Sequence, residues 1–113
     1  MITIHTLASG SEGNAALVCA GDVHILVDAG ISARRIETAL RALNQLPQAL
    51  SAVFITHIHS DHTAGLRVLL KHTGAPVFAS PAVCAALLRQ IPGSASLLRR
   101  ERVDAALPAA HRR

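Results

Sequence analysis

The run Ala52-Val53-Phe54-Ile55-Thr56 is short and apolar, and His57-Ile58-His59-Ser60-Asp61-His62 follows it at once. A run of that length and character suits a buried strand rather than a core helix. The chain must therefore bury this strand between neighbours and still expose a polar loop at its end. Strand ends in mixed α/β structures are where sites form. Imidazole nitrogens and a carboxylate are normal donors for Zn²⁺, Fe²⁺ or Mn²⁺. His57 and His59 are two apart, which in an extended segment points both rings to one side. Asp61 and His62 come after a bend and approach from another direction. These four residues are candidate ligands for one or two ions. The bland alternative is a solvated polar loop, which so dense a cluster disfavours.

The rest of the chain builds around that strand. Residues 2–8 (ITIHTLA) alternate and read as a first strand, and 15–20 (AALVCA) as a second. Gly21-Asp22 predicts a tight hairpin into a third strand, VHILVD, at 23–28. Ser32 suits a helix cap. Ile36, Leu40, Leu43 and Leu46 then form one apolar stripe, predicting a helix of about four turns that Pro47 ends. Ala64–His72 reads as a short helix closed by Gly74. PVFA at 76–79 is a short strand, and Ser80-Pro81 starts a helix over 82–90 that Pro92-Gly93 stops. The order is three strands, then helix, strand, helix, strand, helix. Beyond Gly93 the pattern weakens, and LLRRERVDAALPAAHRR fits either a strand or a short helix. The expected division is residues 1–93 as the folded part and 94–113 as a basic, Arg- and Ala-rich tail.

Composition limits the alternatives. Half of the 113 residues are apolar and only two are aromatic, Phe54 and Phe78, so the core must be aliphatic. No run reaches membrane-spanning length without charges. The start lacks the basic and long apolar regions of a secretory signal, so a cytoplasmic location is expected. Cys19 and Cys84 lie in apolar runs and read as buried and reduced; with no CxxC spacing, a thiol ligand is disfavoured. The tail holds Arg99, Arg100, Arg102, Arg112 and Arg113 against Glu101 and Asp104, which is +3 of the chain's +4. Such a tail can attract phosphate backbones, but no stacking aromatics accompany it. His5, His24 and His72 read as structural or surface residues. The turn SGSEGN at 9–14 reads as structural, with backbone N–H groups at a site mouth as the alternative. It has no Lys and no following helix, so it is not a phosphate-binding P-loop.

Thr56–His62, THIHSDH, resembles the HxHxDH signature of the metallo-β-lactamase superfamily. LASGSEGNA at 7–15 and LVDAG at 26–30 narrow the resemblance to a bacterial cytoplasmic phosphodiesterase- or exonuclease-like branch. It covers about residues 2–93. The fold it implies is α+β: the amino-terminal half of an αββα sandwich, a mixed sheet with outer helices, incomplete in this chain. It implies a metal-dependent hydrolase acting on phosphodiesters when complete. Two Zn²⁺, or Mn²⁺ or Fe²⁺, would be held by His57 and His59 on one side and by Asp61 and His62 on the other, with Asp61 also the catalytic residue. Asp28 matches the family aspartate that supports the site loop without binding metal, a role that orients ligands. Nucleic acid or a small phosphodiester would be the partner.

The family completes its two sites with later histidines and a bridging aspartate. Here only Asp104, His72 and His111 follow, and His72 lies directly behind the motif. His111 is a weak late candidate. The expectation is therefore of a missing second half, through fragmentation, truncation or a frame change, with partial metal occupancy and possible self-association. The alternatives are a hydrolase of thioesters or lactams, an inactive metal-binding half-domain, and an interaction module completed by another chain.

Overall fold

The structure, a computed structural model, describes residues 1–100. The candidates Asp104 and His111 and most of the tail lie outside the described residues. Six strands form one sheet in sequence order: β1 (Ile2–Ala8), β2 (Ala15–Ala20), β3 (Val23–Val27), β4 (Ala52–Phe54), β5 (Val77–Ala79) and β6 (Leu98–Arg100). The first three are antiparallel, and β3 to β6 run parallel. The switch follows from the connections. Two residues, Gly21 and Asp22, join β2 to β3, with Ala20 paired to Val23. Gly21 has φ +60 and Asp22 does not share its positive sign, as a turn matching the strand twist requires at its first central position. Parallel neighbours need a crossover, and helices supply it: α1 (Ala33–Ala42), the short pair α2 (Ser60–Thr63) and α3 (Leu66–Leu69), and α4 (Pro81–Gln90).

Those helices build the core on one face of the sheet. Leu17, Leu26, Val53 and Val77 share that face by register, and each is fully buried. Above them lie Ile36 and Leu40 of α1, Leu66 and Leu69 of α3, and Cys84 and Leu87 of α4. The Cys84 thiol donates to the Ala79 carbonyl at 3.5 Å, and Cys19 is half-buried. Both capped starts form as expected: the Ser32 hydroxyl accepts from Arg35 N, and that of Ser80 from Val83 N, each at 3.2 Å. His72 bonds to Glu37, tying the segment after α3 to α1. His24 Nδ1 is buried with no hydrogen-bond partner among the described residues.

Two elements differ from expectation, and a third, left open between strand and helix, forms as a strand. The first helix stops at Ala42, ten residues long, and Leu46 is 55% exposed instead of on the buried stripe. Asn44, at φ +61, is the cause. Gln45 N reaches back to Leu40 O at 2.8 Å and Asn44 N to Arg41 O at 2.9 Å, the paired bonds of a Schellman ending with Asn in the glycine position. Pro47 opens a separate 3-10 turn. The expected helix Ala64–His72 forms only over Leu66–Leu69, preceded by a separate turn of helix at Ser60–Thr63; between them the Gly65 N–H is drawn away to Ala29 O at 2.8 Å. Gly74 is not in the left-handed region. Finally, β6 adds a strand beyond Gly93, so the sheet runs past the boundary placed at 93–94.

The opposite face of the sheet has no layer over it among the described residues. Register places Ile2 and Ile4 beside Ala20 and Val18, then Val23, Ile25 and Val27, then Phe54 and Phe78. Ile2 and Ile4 are 68% and 69% exposed, and Val23 is 46% exposed. Phe54 stacks on Phe78 with centroids 5.2 Å apart. An apolar patch this continuous is a surface that other protein normally covers. The isolated 113-residue chain is therefore expected to self-associate and to bind a hydrophobic dye. Ile4→Lys should reduce both without altering helix content. A monomer by light scattering that binds no dye would contradict this reading.

Candidate metal centre

Three loops meet at one edge of the sheet: residues 9–14 after β1, 28–32 after β3 and 55–62 after β4. Their backbones are laced together. Asn14 N donates to Asp61 O at 2.7 Å, Ala29 N to His62 O at 2.8 Å, and Gly30 N to Asn14 O at 2.8 Å. This closeness explains one glycine directly. A Cβ on Gly30 would lie 1.8 Å from the Asp61 carbonyl oxygen and 2.7 Å from Asn14 N. No side chain fits there.

Asp28 stands at the centre of the arrangement. It is 6% exposed and has φ +66, a conformation that Asp tolerates better than most residues but that still carries strain. Its Oδ1 accepts from Thr56 N at 2.8 Å, and its Oδ2 accepts from Thr56 Oγ1 and from His62 Nδ1, each at 2.7 Å. An ionised carboxylate only accepts, so His62 must carry its proton on Nδ1. The Thr56 hydroxyl spends its proton on Asp28. Its oxygen, 2.8 Å from His57 Nδ1, therefore accepts from that nitrogen. One carboxylate thus selects the same tautomer for both neutral rings, with Nδ1 the donor and Nε2 the acceptor. The His57 and His62 rings lie 4.5 Å apart between centroids.

Of the four candidate ligands, the structure pairs His57 with His62 and His62 with Asp61, whose Oδ2 lies 3.5 Å from His62 Nε2. His59 is exposed at the start of α2. Its carbonyl accepts from His62 N at 2.8 Å and from Thr63 Oγ1 at 3.2 Å, while its ring makes no hydrogen bond among the described residues. No group of three or more His, Cys, Asp or Glu side chains converges on one point among the described residues. The donor chemistry suits a divalent ion; closing the coordination needs further donors. Two contributors escaped the sequence reading. Thr56 was visible only as the residue before the first histidine. Asn14 sat in a turn read as structural, and its only signal was a glycine-flanked amide following a strand.

The comparisons place the chain. The profile of the metallo-beta-lactamase superfamily matches residues 8–110, and the chain belongs to that family. It is 42% identical over 74 residues to the exodeoxyribonuclease WalJ of Streptococcus pneumoniae, covering 66% of this chain and 28% of that protein. It is 39% identical over 74 residues to the exodeoxyribonuclease YycJ of Bacillus anthracis, with the same coverage. Among solved structures, a metallo-beta-lactamase from Cronobacter sakazakii superposes with a TM-score of 0.67 at 27% identity, over 74% of this chain and 33% of that chain. The sheet and its helices are thus part of a metallo-β-lactamase-type α+β domain, and the chain spans under a third of the curated relatives it matches.

The tautomer argument has a direct check. In the metal-free chain, imidazole ¹⁵N shifts should report His62 and His57 protonated at Nδ1. In Asp28→Ala both should move toward the Nε2–H form. The same change should cost about 1–3 kcal/mol in chemical denaturation, since it leaves part-buried donors unpaired. Nε2–H signals in the parent chain would overturn the assignment.

Proposed function

We propose that this chain supplies the amino-terminal part of a metal-dependent hydrolase centre that acts on the phosphodiester bonds of DNA. The observation that carries the reading is the Asp28 network: two histidines of HIHSDH are held with Nε2 free, beside the Asp61 carboxylate. Holding unprotonated imidazole in a fixed orientation is what ligation demands and what a solvated loop has no use for. The choice of DNA rests on the 42% identity to an exodeoxyribonuclease, set against structural likeness to β-lactamases at 27%.

His57 and His59 would hold one ion, and Asp61 and His62 a second. Such ions, when bound, acidify a coordinated water and stabilise charge on the attacked and leaving oxygens. The chain's own part is to present the donors. Asp28 fixes His62 directly and His57 through Thr56. Gly30 lets the Asp61 backbone approach the loop after β3. No described helix is long and apolar enough to cross a membrane.

Two donors per ion fall short of the three protein ligands usual for a catalytic zinc. The chain alone should therefore take up Zn²⁺ weakly, and His57→Ala with His59→Ala should remove most of it; equal zinc content before and after would sink the metal reading. It should also show no turnover of bis(p-nitrophenyl) phosphate or single-stranded DNA under added Zn²⁺ or Mn²⁺. Function is tested in a chimaera. Placed in the matching segment of the Streptococcus pneumoniae exodeoxyribonuclease, this sequence should support degradation of DNA, and Asp61→Ala should lower the rate by about 100-fold or more. A folded, metal-loaded chimaera that leaves DNA intact would refute the phosphodiester assignment.

A further inference from the structure

Resting on that metal reading, we infer that Asn14 is the positioning residue for Asp61: it sets the carboxylate that would hold the second ion. Asn14 is locked on every side. Its N–H donates to Asp61 O at 2.7 Å and its carbonyl accepts from Gly30 N at 2.8 Å. In the side chain, Oδ1 accepts from Gly10 N at 3.2 Å, while Nδ2 lies 2.9 Å from Gly10 O, 3.1 Å from Asp61 O and 3.4 Å from Asp61 Oδ2. The amide has only one possible orientation. Carbonyl and carboxylate oxygens accept and never donate, so the NH₂ end must face Asp61.

The consequence falls on one oxygen. Oδ2 of Asp61 sits between Asn14 Nδ2 at 3.4 Å and His62 Nε2 at 3.5 Å. Oδ1 makes no hydrogen bond among the described residues. The carboxylate is therefore turned by a neutral donor that leaves one oxygen open. Neutrality matters. A Lys or Arg at position 14 would hold the carboxylate as well but would compete with a cation for its charge. An amide steers without neutralising. The Nδ2 contact to Oδ2 is long, so its effect is on orientation more than on strength, and the shorter bond to Asp61 O fixes the backbone from which the side chain springs.

The turn 9–14 thus does two separable things: it folds back on itself through Gly10, and it reaches across to Asp61. Two variants separate them. Asn14→Ala removes the reach and the fold-back together. Gly10→Ala strains the turn alone, since Gly10 has φ +120 and a Cβ there meets nothing within 4 Å. Zn²⁺ affinity would be measured on the chain by competition with a chromophoric chelator, with Asp61→Ala identifying the ion held by Asp61 and His62. Asn14→Ala should weaken that ion by about tenfold and leave the other unchanged. Gly10→Ala should lower the melting temperature and leave both affinities near those of the parent. A parent chain that binds no Zn²⁺ overturns the metal reading and this inference with it. Normal binding of both ions by Asn14→Ala overturns the inference alone. Equal weakening by Gly10→Ala and Asn14→Ala also overturns it, by showing that only the turn matters.

Discussion

The site depends on one buried carboxylate. Asp28 ends β3 at φ +66, takes the Thr56 backbone N–H on one oxygen, and takes the Thr56 hydroxyl and His62 Nδ1 on the other. A non-glycine residue in this conformation costs about 1–3 kcal/mol, and such strain persists only where the surroundings over-determine it. Three hydrogen bonds to a charged acceptor are of the size needed to offset that cost. The strain has a geometric return. It turns the chain sharply out of β3, so that Ala29 N can meet His62 O and Gly30 N can meet Asn14 O. Without it, the loop after β3 would not cross under the HIHSDH loop.

How much of this could be read from the sequence depends on the range of the interaction concerned. β1 to β5 form close to where alternation and turn residues place them, because those signals are local. The Ser32 and Ser80 caps are local too. The fold class and family followed from a motif whose residues are contiguous. The rest has other causes. Asn44 ended the first helix before Pro47 could, because an Asn in the left-handed position satisfies the last carbonyls earlier than a proline blocks them. Gly65 delayed the start of the next helix to Leu66 through a bond to Ala29, a residue remote in sequence. The strand β6 lay in a segment without clear periodicity, and its pairing with β5 supplies what the pattern lacked. The Asn14 and Asp61 contact joins residues far apart along the chain, which no spacing rule reaches.

The two faces of the sheet explain why a partial domain can still hold the HIHSDH loop in order. The helix-side core is self-contained: Leu17, Leu26, Val53 and Val77 meet Ile36, Leu40, Leu66, Leu69 and Leu87, all fully buried. The three site loops hang from the strands of this core and are tied mainly to each other. Where they reach the strands, through Asp28 N to Phe54 O at 2.7 Å and Ile55 N to Phe78 O at 3.0 Å, they use strand backbone and not the side chains of the open face, where Ile2, Ile4, Val23, Phe54 and Phe78 lie. Presenting His57, Asp61 and His62 and holding an ion are therefore different tasks with different requirements. The first needs Asp28, Thr56, Asn14 and Gly30, which this chain carries. The second needs donors converging from the far side of the ion, and among the described residues no three-donor group exists. Neither the cover for the apolar face nor a third converging donor comes from the described residues.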